Sequence, residues 1–165
     1  MVGNNIGRTS NINSILRYVT VILIIAYIAC LLIFTSGSSK PFDQVAGPIE
    51  GAINKENLVK AKPREIKKLY DINVSEYDGV LLYVSNNNIS SEEVLLVKAK
   101  TDEQVNELRT SIDRRLNDRM NDLKGYAPKE EAYIENAVVS VRGKYVFVSI
   151  GKDSENLKEV FSNNL

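Results

Sequence analysis

The chain contains no histidine and no tryptophan, and its single cysteine is Cys30. Because Cys30 lies inside a long apolar run near the start of the chain, the rest of the protein cannot form an internal disulfide. Most zinc and haem sites, and the catalytic triads built on Ser–His or Cys–His pairs, need side chains that this sequence lacks. The sequence therefore predicts no metal site, no cofactor and no catalytic residues, and it favours a protein that is not an enzyme.

Acidic residues are absent before Asp43, whereas Arg8 and Arg17 precede the apolar run. Because two of the 21 basic residues lie before the run, 19 remain to face all 21 acidic ones, a net charge of −2. A nearly neutral domain is a poor candidate for electrostatic binding to nucleic acid or anionic lipid. We therefore expect no nucleic-acid partner.

The apolar run extends from Tyr18 to Thr35 and contains no charged residue. A helix of this length, rising about 1.5 Å per residue, covers about 27 Å, close to the ~30 Å hydrocarbon core of a bilayer. We predict a transmembrane signal anchor over residues 15–35. A disordered arm over residues 1–14 precedes it, and a flexible spacer over residues 36–41 follows it.

Basic residues precede the run and no acidic residue does, so the positive-inside rule places the N-terminus in the cytoplasm. The expected location is the cell membrane, crossed once, with the C-terminal domain extracytoplasmic. Two alternatives stay open. The small residues of Thr35 to Ser39 would suit cleavage of a secretory signal, and Ile28-Ala29-Cys30 half resembles the site at which a lipoprotein is anchored.

Residues 42–165 predict one extracytoplasmic α+β domain with the element order α-α-β-β-α-α-β-β-α. Gly47-Pro48 and Gly51 interrupt its first helical pattern, so we expect a broken helix there. Two predicted hairpins lie on either side of a long helix. This order indicates a two-layer sandwich, in which an antiparallel sheet of about four strands carries helices packed on one face.

The long central helix carries the clearest boundary signals of the chain. Thr101 and Gln104 form a predicted capping box, with Thr101 as the N-cap residue. An apolar stripe then recurs at steps of three and four residues until Gly125, which is typical of the residue just after a helix end. Arg115 lies beside this stripe, where we expect a buried ion pair.

Four residues are candidates for partner binding or for a structural role: Arg115, Tyr126, Tyr133 and Tyr145. The three tyrosines predict either an aromatic ligand-binding surface or rings buried at the edge of the core with hydroxyl groups reaching water. The second interpretation is the more common behaviour of tyrosine.

Charged residues elsewhere are interpreted as solvated. The adjacent carboxylates Glu92-Glu93 and Glu130-Glu131 suggest acid–base hydrolysis, but neighbouring residues point in different directions on a strand or a helix. Acids and arginines alternate between Asp113 and Asp122, which is typical of a solvated helix face with pairs such as Arg114–Asp118.

Several stretches, taken in order and spacing, resemble a bacterial domain family of unknown function, DUF4358. They are Leu69-Tyr70-Asp71-Ile72, Tyr77-Asp78-Gly79, Glu92-Glu93-Val94, Arg115-Leu116, Tyr126-Ala127-Pro128, Glu135-Asn136-Ala137-Val138-Val139, Gly143-Lys144-Tyr145-Val146, Asp153 and Phe161. The resemblance covers roughly residues 42–165. It implies an extracytoplasmic domain anchored in the envelope, often as a lipoprotein, and it implies no catalytic residues.

The sequence thus favours a membrane-anchored, non-catalytic binding or scaffold module of the bacterial cell envelope, with an envelope protein or the cell wall as partner. Two alternatives stay open. One is an accessory subunit of a larger membrane or sporulation assembly. The other is a small-molecule sensor or an envelope hydrolase that uses only carboxylates, tyrosine and lysine, which predicts a concave pocket with convergent polar groups.

Overall fold

The computed structural model describes the backbone of residues 6–35 and 39–165. Side chains are described for residues 15–30 and 39–165. The chain divides into two compact units, residues 1–36 and 37–165.

The first unit consists of one helix, α1, Ile6–Thr35, whose described large apolar side chains are exposed. In the part of the chain that the structure describes, no helix is both long enough and apolar enough to cross a membrane. The transmembrane segment predicted over residues 15–35 is thus unsupported by the structure and stays a prediction from the sequence. Residues 1–5 of the predicted arm and 36–38 of the predicted spacer lie outside the described residues.

The second unit is an α+β domain built on one antiparallel sheet. Its elements are α2 Phe42–Ala52, β1 Leu58–Lys60, α3 Pro63–Tyr70, a 3₁₀ turn Val74–Glu76, β2 Gly79–Ser85, β3 Glu93–Lys98, α4 Asp102–Leu123, α5 Pro128–Glu135, β4 Val138–Arg142, β5 Tyr145–Ile150 and α6 Ser154–Asn163. The strand order is β1-β2-β3-β5-β4. The α+β class predicted from the sequence is confirmed.

The central strands begin and end in register, which gives the sheet two distinct ends. At one end Lys98 of β3 lies beside Gly79 of β2 and Tyr145 of β5, and at the other end Glu93 lies beside Ile150. We call these the entry end and the distal end. Strands of six residues at about 3.3 Å per residue separate them by roughly 20 Å.

The chain enters the domain at the first of these ends. The backbone carbonyl of Lys40 accepts a hydrogen bond from Lys98 Nζ at 2.8 Å and another from the Tyr145 hydroxyl at 2.9 Å. Lys40 Nζ donates to the carbonyl of Asn164, just after α6, at 3.0 Å. The first described residues of the domain are thus fixed to the ends of two central strands.

Helices cover both faces of the sheet, so the predicted packing on one face is wrong. Leu95 and Val97 of β3 belong to a core cluster with α3, α4 and α5, whereas Val94 and Leu96 belong to a second cluster with α2 and α6. All six residues of β5 are buried. Strands buried on both sides read as continuous apolar runs rather than alternating ones, which is how β2, β3 and β5 read in this sequence.

The sheet has five strands rather than about four, because β1, which starts at Leu58, was not predicted as a strand. Leu58 pairs with Ser85 of β2, which makes β1 a short edge strand. The helix before it, α2, is not broken and runs through Pro48. Proline removes one intrahelical hydrogen bond, to the carbonyl of Gln44, and both residues lie on the exposed side of α2 where water can satisfy that carbonyl.

The boundaries predicted for the long helix are confirmed. Thr101 Oγ1 accepts a hydrogen bond from the backbone N–H of Gln104 at 3.3 Å, and the side chain of Gln104 accepts from the N–H of Lys100 at 2.8 Å. Gly125 follows the helix with φ of +73°, the left-handed conformation that glycine adopts without steric cost. The two predicted hairpins are also present, as β2–β3 and β4–β5.

Candidate functional site

A buried ion pair lies at the distal end, between the sheet and two helices. Arg115 Nη2 of α4 donates to Glu93 Oε2 at 2.7 Å, and Arg115 Nε lies 3.5 Å from Oε1. The Tyr70 hydroxyl, at the end of α3, donates to the same Oε1. The side chain of Glu93 is only 3% exposed and that of Arg115 is 15% exposed. The buried ion pair expected for Arg115 is therefore present.

Burial and charge act together on the groups of this cluster. Burial raises the pKa of the Tyr70 hydroxyl well above its usual range, and the neighbouring Glu93 carboxylate raises it further. Burial alone lowers the pKa of Arg115, but Glu93 and Tyr70 outweigh that effect and leave the pKa raised. The fold therefore favours a neutral Tyr70 hydroxyl and a charged Arg115 guanidinium, both of which donate to the Glu93 carboxylate.

The cluster is closed to ligands, which indicates a structural role. Tyr70 is fully buried, and both carboxylate oxygens of Glu93 already accept hydrogen bonds. The three residues come from α3, β3 and α4, so the cluster holds two helices on the end of the central strand. Breaking such a pair leaves an uncompensated buried charge, so each partner depends on the others.

The loop between β2 and β3 is fastened to the helices next to this cluster. The Glu130 carboxylate of α5 accepts from the Ser91 backbone N–H at 2.7 Å and from the Ser91 hydroxyl at 2.8 Å. Arg119 Nη2 of α4 donates to the carbonyl of Ser90 at 2.8 Å. Two charged side chains therefore hold this loop, which we call the distal loop, in one position.

An open cleft of about 360 Å³, which we call the distal cleft, lies beside this loop. It is lined mostly by polar side chains: Asn57, Ser85, Asn86, Asn87, Ser90, Glu92, Lys129, Glu130, Tyr133 and Lys152. The aromatic ring of Tyr133 forms part of the wall, and Lys129 Nζ lies 5.5 Å from its centroid. The cleft thus combines amide, hydroxyl, ammonium and carboxylate groups with one partly exposed ring.

Exposed apolar side chains also gather at the distal end. Tyr126, just after α4, is 68% exposed, and Ile89 in the distal loop is 50% exposed. In the described part of the α+β domain only two other large apolar side chains are exposed, Val59 and Val139 on the edge strands, and both are less exposed than Ile89. An exposed aromatic ring beside a polar cleft is a common composition for a protein-binding surface.

Tyr145 lies at the opposite end of the sheet, and the three candidate tyrosines do not form one surface. Its ring is fully buried against Phe161 of α6, and its hydroxyl binds the Lys40 carbonyl. Burial raises the pKa of Tyr145 to about 12, with Asp78 and Asp43 adding to the effect. Tyr145 thus has a structural role, although its hydroxyl binds a backbone carbonyl rather than reaching water as expected.

Three acids interpreted as solvated turn out to be bound. Glu93 forms the buried pair, Glu130 holds the distal loop, and Glu131 Oε1 accepts from the backbone N–H of Gly125 at 2.7 Å. Arg114 faces Asp71 of α3 at 3.8 Å rather than Asp118. The sequence did contain a signal that Glu93 is buried. It lies two residues from Leu95, so both side chains lie on the same face of β3, the one that packs on α3, α4 and α5.

No group of three or more histidine, cysteine, aspartate or glutamate residues suited to a metal ion occurs among the residues that the structure describes. In the same residues, every buried side-chain nitrogen and oxygen has a hydrogen-bond partner. The open polar groups of the domain are therefore at its surface, above all in the distal cleft.

The family model for a domain of unknown function, DUF4358, matches residues 51–151, and the chain belongs to this family. The match is shorter at both ends than the resemblance over residues 42–165. It includes β1 to β5 and α3 to α5. No curated protein matches the chain, and no solved structure matches it either.

Proposed function

We propose that this protein is a non-catalytic binding module of the bacterial cell envelope, anchored in the membrane by its N-terminal apolar run. The domain presents its distal end to an envelope partner. One observation carries the proposal: the point of chain entry at Lys40 and the open distal cleft lie at opposite ends of the same strands. A domain tethered at one end has its opposite end free to meet a partner.

The membrane part of the proposal rests on the sequence. Tyr18 to Thr35 contain no charge and suffice in length for a bilayer, and the arginines lie on the N-terminal side alone. The exposed apolar side chains described along α1 agree with such a run, because a helix that is apolar on every side has no face suited to water.

The binding part rests on the composition of the distal end. Tyr126 and Ile89 are exposed, and the cleft with Tyr133 lies at the same end of the domain. Binding hot spots are enriched in tyrosine, whose ring contributes large contact area at a small cost in conformational entropy. Glu130 and Arg119 hold the loop in place, so little ordering entropy is lost when a partner binds.

Location is tested by treating intact, wall-stripped cells that carry a C-terminally tagged chain with protease, alongside membrane fractionation. We expect a tag that fractionates with membranes and is destroyed by external protease. A protected tag would overturn the extracytoplasmic placement, and a tag in the soluble fraction would overturn the anchor.

Partner binding is tested in the same cells with a photo-crosslinking amino acid at position 126 or 133. A matched control carries it at Asn106, an exposed residue near the start of α4. We expect discrete crosslinked species from the distal positions and none from the control. Equal crosslinking from all three positions would contradict a binding face at the distal end. Co-purification at fixed stoichiometry would instead identify a subunit of a larger membrane or sporulation assembly.

A small-molecule sensor is the second candidate, favoured by the concave arrangement of Glu92, Lys129 and Lys152 in the distal cleft. Carboxylate-based hydrolysis is less well supported, because Glu130 is already engaged by Ser91. A metabolite screen by thermal shift on the full chain tests the sensor. A hit that stabilises the protein should lose its effect in Lys152→Gln, whereas Lys158→Gln, on α6, is the control.

A further inference from the structure

A second, smaller cavity lies against the distal cleft, and we call it the inner cavity. It has a volume of about 30 Å³ and is partly enclosed. The cleft and the cavity share three lining residues, Asn57, Glu92 and Lys152. Four buried apolar side chains form much of the remaining wall: Leu58, Val94, Ile150 and Leu157. The distal end therefore combines a polar cleft with a small, mostly apolar recess.

The size of the inner cavity limits what can enter it. One water molecule needs about 10–15 Å³ of such space, so a cavity of about 30 Å³ admits a group of methyl size. A larger group would have to displace Val94 or Ile150, which are buried in central strands. Close-packed interiors yield little to such displacement, so the cavity selects for small groups.

Glu92 lies where the inner cavity meets the cleft, and its carboxylate has no partner. The residue is partly buried, yet among the described residues its side chain forms no hydrogen bond or ion pair. Its stem lies against Gly151, where a Cβ would be 3.0 Å from Glu92 Cγ. Gly151 also has φ of +134°, a conformation that favours glycine. The loop thus makes room for a carboxylate that is left to accept hydrogen bonds from a ligand.

The distal cleft holds unpaired charge of both signs. Lys129 and Lys152 are exposed, and within the described part of the chain neither forms an ion pair. With Glu92 and Glu130 they give the cleft two positive and two negative charges, a net of zero. Glu130 is already engaged by Ser91, which leaves one carboxylate and two ammonium groups. Opposite charges that share a cleft without pairing suit a ligand that itself carries both signs.

We infer that the distal cleft binds a small zwitterion, either an alanine-sized α-amino acid or a short peptide of such residues. The ligand ammonium group donates to Glu92, its carboxylate accepts from Lys129 or Lys152, and its methyl side chain fills the inner cavity. At about 360 Å³ the cleft has room for either ligand. The inference rests on the second candidate function, a small-molecule site in this cleft.

Two other classes of small ligand fit these groups less well. A simple anion such as phosphate would meet the lysines but would also face the Glu92 carboxylate, and like charges placed together weaken binding. A neutral sugar could stack on Tyr133, but it would remove water from charged groups without offering them a counter-charge. A zwitterion offers a counter-charge to groups of both signs.

Isothermal titration calorimetry on the full chain in uncharged detergent micelles tests the inference. L-alanine, D-alanine and L-alanyl-L-alanine are the probes, and the tightest of them identifies an amino acid or a peptide as the ligand. Alaninamide lacks the carboxylate and lactate lacks the ammonium group, so each should bind about tenfold or more weakly than alanine or dialanine. Equal binding of either analogue, or no binding of any zwitterion, would overturn the inference.

Side-chain size tests the inner cavity. One methylene in an apolar pocket changes binding by about 10–200-fold, so glycine should bind about tenfold or more weakly than alanine. Valine exceeds the cavity and should also bind more weakly. Val94→Ile adds a methylene to the wall and should weaken alanine binding while leaving glycine binding unchanged. Equal binding of glycine, alanine and valine would overturn the placement of the side chain in the inner cavity.

Charge variants locate the binding. Glu92→Gln keeps the shape of the side chain but removes its charge, and it should weaken binding by about tenfold or more, as should Lys129→Gln with Lys152→Gln. The matched controls are Glu135→Gln and Lys124→Gln, which remove exposed charges elsewhere. Equal weakening in the controls would overturn the assignment to the distal cleft, and thermal unfolding verifies that each variant is folded.

Other probes separate this inference from the function on which it rests. N-acetylglucosamine and inorganic phosphate are titrated as the neutral and the anionic probe. Binding of either that is lost in Lys152→Gln, with no binding of a zwitterion, would overturn the zwitterion and keep a small-molecule site. If the metabolite screen by thermal shift also gave no hit, the sensor itself would be overturned. Crosslinking from position 126 tests the protein-binding module independently of both.

Discussion

Arg115 of α4 and Glu93 of β3 form an ion pair at 2.7 Å in which the carboxylate is buried and the guanidinium is mostly buried. Tyr70 completes the cluster from α3, so three elements meet at one carboxylate. Charges in such a place stabilise a fold only while every partner is present. The pair therefore sets how α3 and α4 lie on the distal end of the sheet.

Arg115→Met should lower the free energy of unfolding by about 3–5 kcal/mol, because it leaves the Glu93 carboxylate buried beside a single hydroxyl donor. Urea unfolding of the full chain in detergent, followed by circular dichroism, measures this. Arg114→Met is the matched control, since its exposed pair with Asp71 at 3.8 Å is worth about 0–1 kcal/mol.

The triple variant Tyr70→Phe, Glu93→Leu, Arg115→Met should recover most of that loss. Replacing every polar group of a buried cluster by apolar groups of similar volume is often neutral. If the triple variant were as unstable as Arg115→Met, packing rather than the unpaired charge would explain the loss.

Stability should fall in alkaline solution because the fold raises the pKa of several tyrosines, above all Tyr145 and Tyr70. In the unfolded chain tyrosine ionises near a pKa of about 10, whereas the pKa of folded Tyr145 is raised to about 12 and that of Tyr70 is also raised. Above about pH 10 the unfolded state binds fewer protons than the native state, so the free energy of unfolding declines as pH rises.

Urea unfolding across neutral and alkaline pH measures this decline. Tyr145→Phe should flatten it, because a phenylalanine ring has no proton to lose. Tyr126→Phe, at the exposed ring after α4, is the control and should keep the wild-type pH dependence. An unchanged alkaline decline in Tyr145→Phe would mean that other groups cause it.

Gly79→Ala should destabilise the domain by about 1–3 kcal/mol, the usual cost of overpacking. A Cβ at Gly79 would overlap Cγ of the Phe42 ring, which packs directly on the start of β2. Adding Phe42→Leu should recover part of the loss.

Gly47→Ala is the contrast: no atom lies within 4 Å of its Cβ position on α2, so we expect a gain of about 0.5–1 kcal/mol. Thermal unfolding midpoints measure all three, and a Gly79→Ala protein as stable as wild type would contradict the contact.

Glu130→Gln should loosen the distal loop, because a carboxylate that accepts two hydrogen bonds from Ser91 is replaced by a neutral amide. Hydrogen bonds to a charged group are worth about 1.5–3 kcal/mol, so amide exchange at residues 86–91 should quicken by about tenfold or more. Hydrogen-exchange mass spectrometry measures it. Glu135→Gln, which changes an exposed acid at the end of α5, should leave amide exchange in the loop unchanged. Equally fast exchange in that control would argue against a specific role of the Glu130–Ser91 hydrogen bonds.

The elements of the fold were largely predictable from the sequence. Capping residues, apolar periodicity and turn glycines mark α4 and both hairpins, because these signals are local. The layers were not predicted correctly, because hairpin order alone does not say which side of the sheet a helix covers. The continuous apolar character of β5 was the relevant signal, since a strand with one solvated face would alternate.

The candidate site was predicted less completely. Arg115 was identified from its position beside the apolar stripe. Glu93 was interpreted as one of two solvated adjacent acids, although its spacing from Leu95 places it on the face of β3 that packs on α3, α4 and α5. Summed charge also concealed the exposed basic residues of α3, because a net value near zero does not report how charges are distributed. The distal cleft joins residues next to β1, β2, β3 and β5 with residues of α5, and no local pattern brings such distant positions together.

The opposed positions of Lys40 and the distal cleft determine how the domain carries mechanical load. A pull between a membrane anchor and a bound partner would run along β2, β3 and β5, whose interstrand hydrogen bonds lie perpendicular to the strands. Such a force shears many of these bonds at once instead of opening them one at a time like a zipper. In the arrangement proposed above, tension between the membrane and the partner would therefore load the sheet in its shear direction.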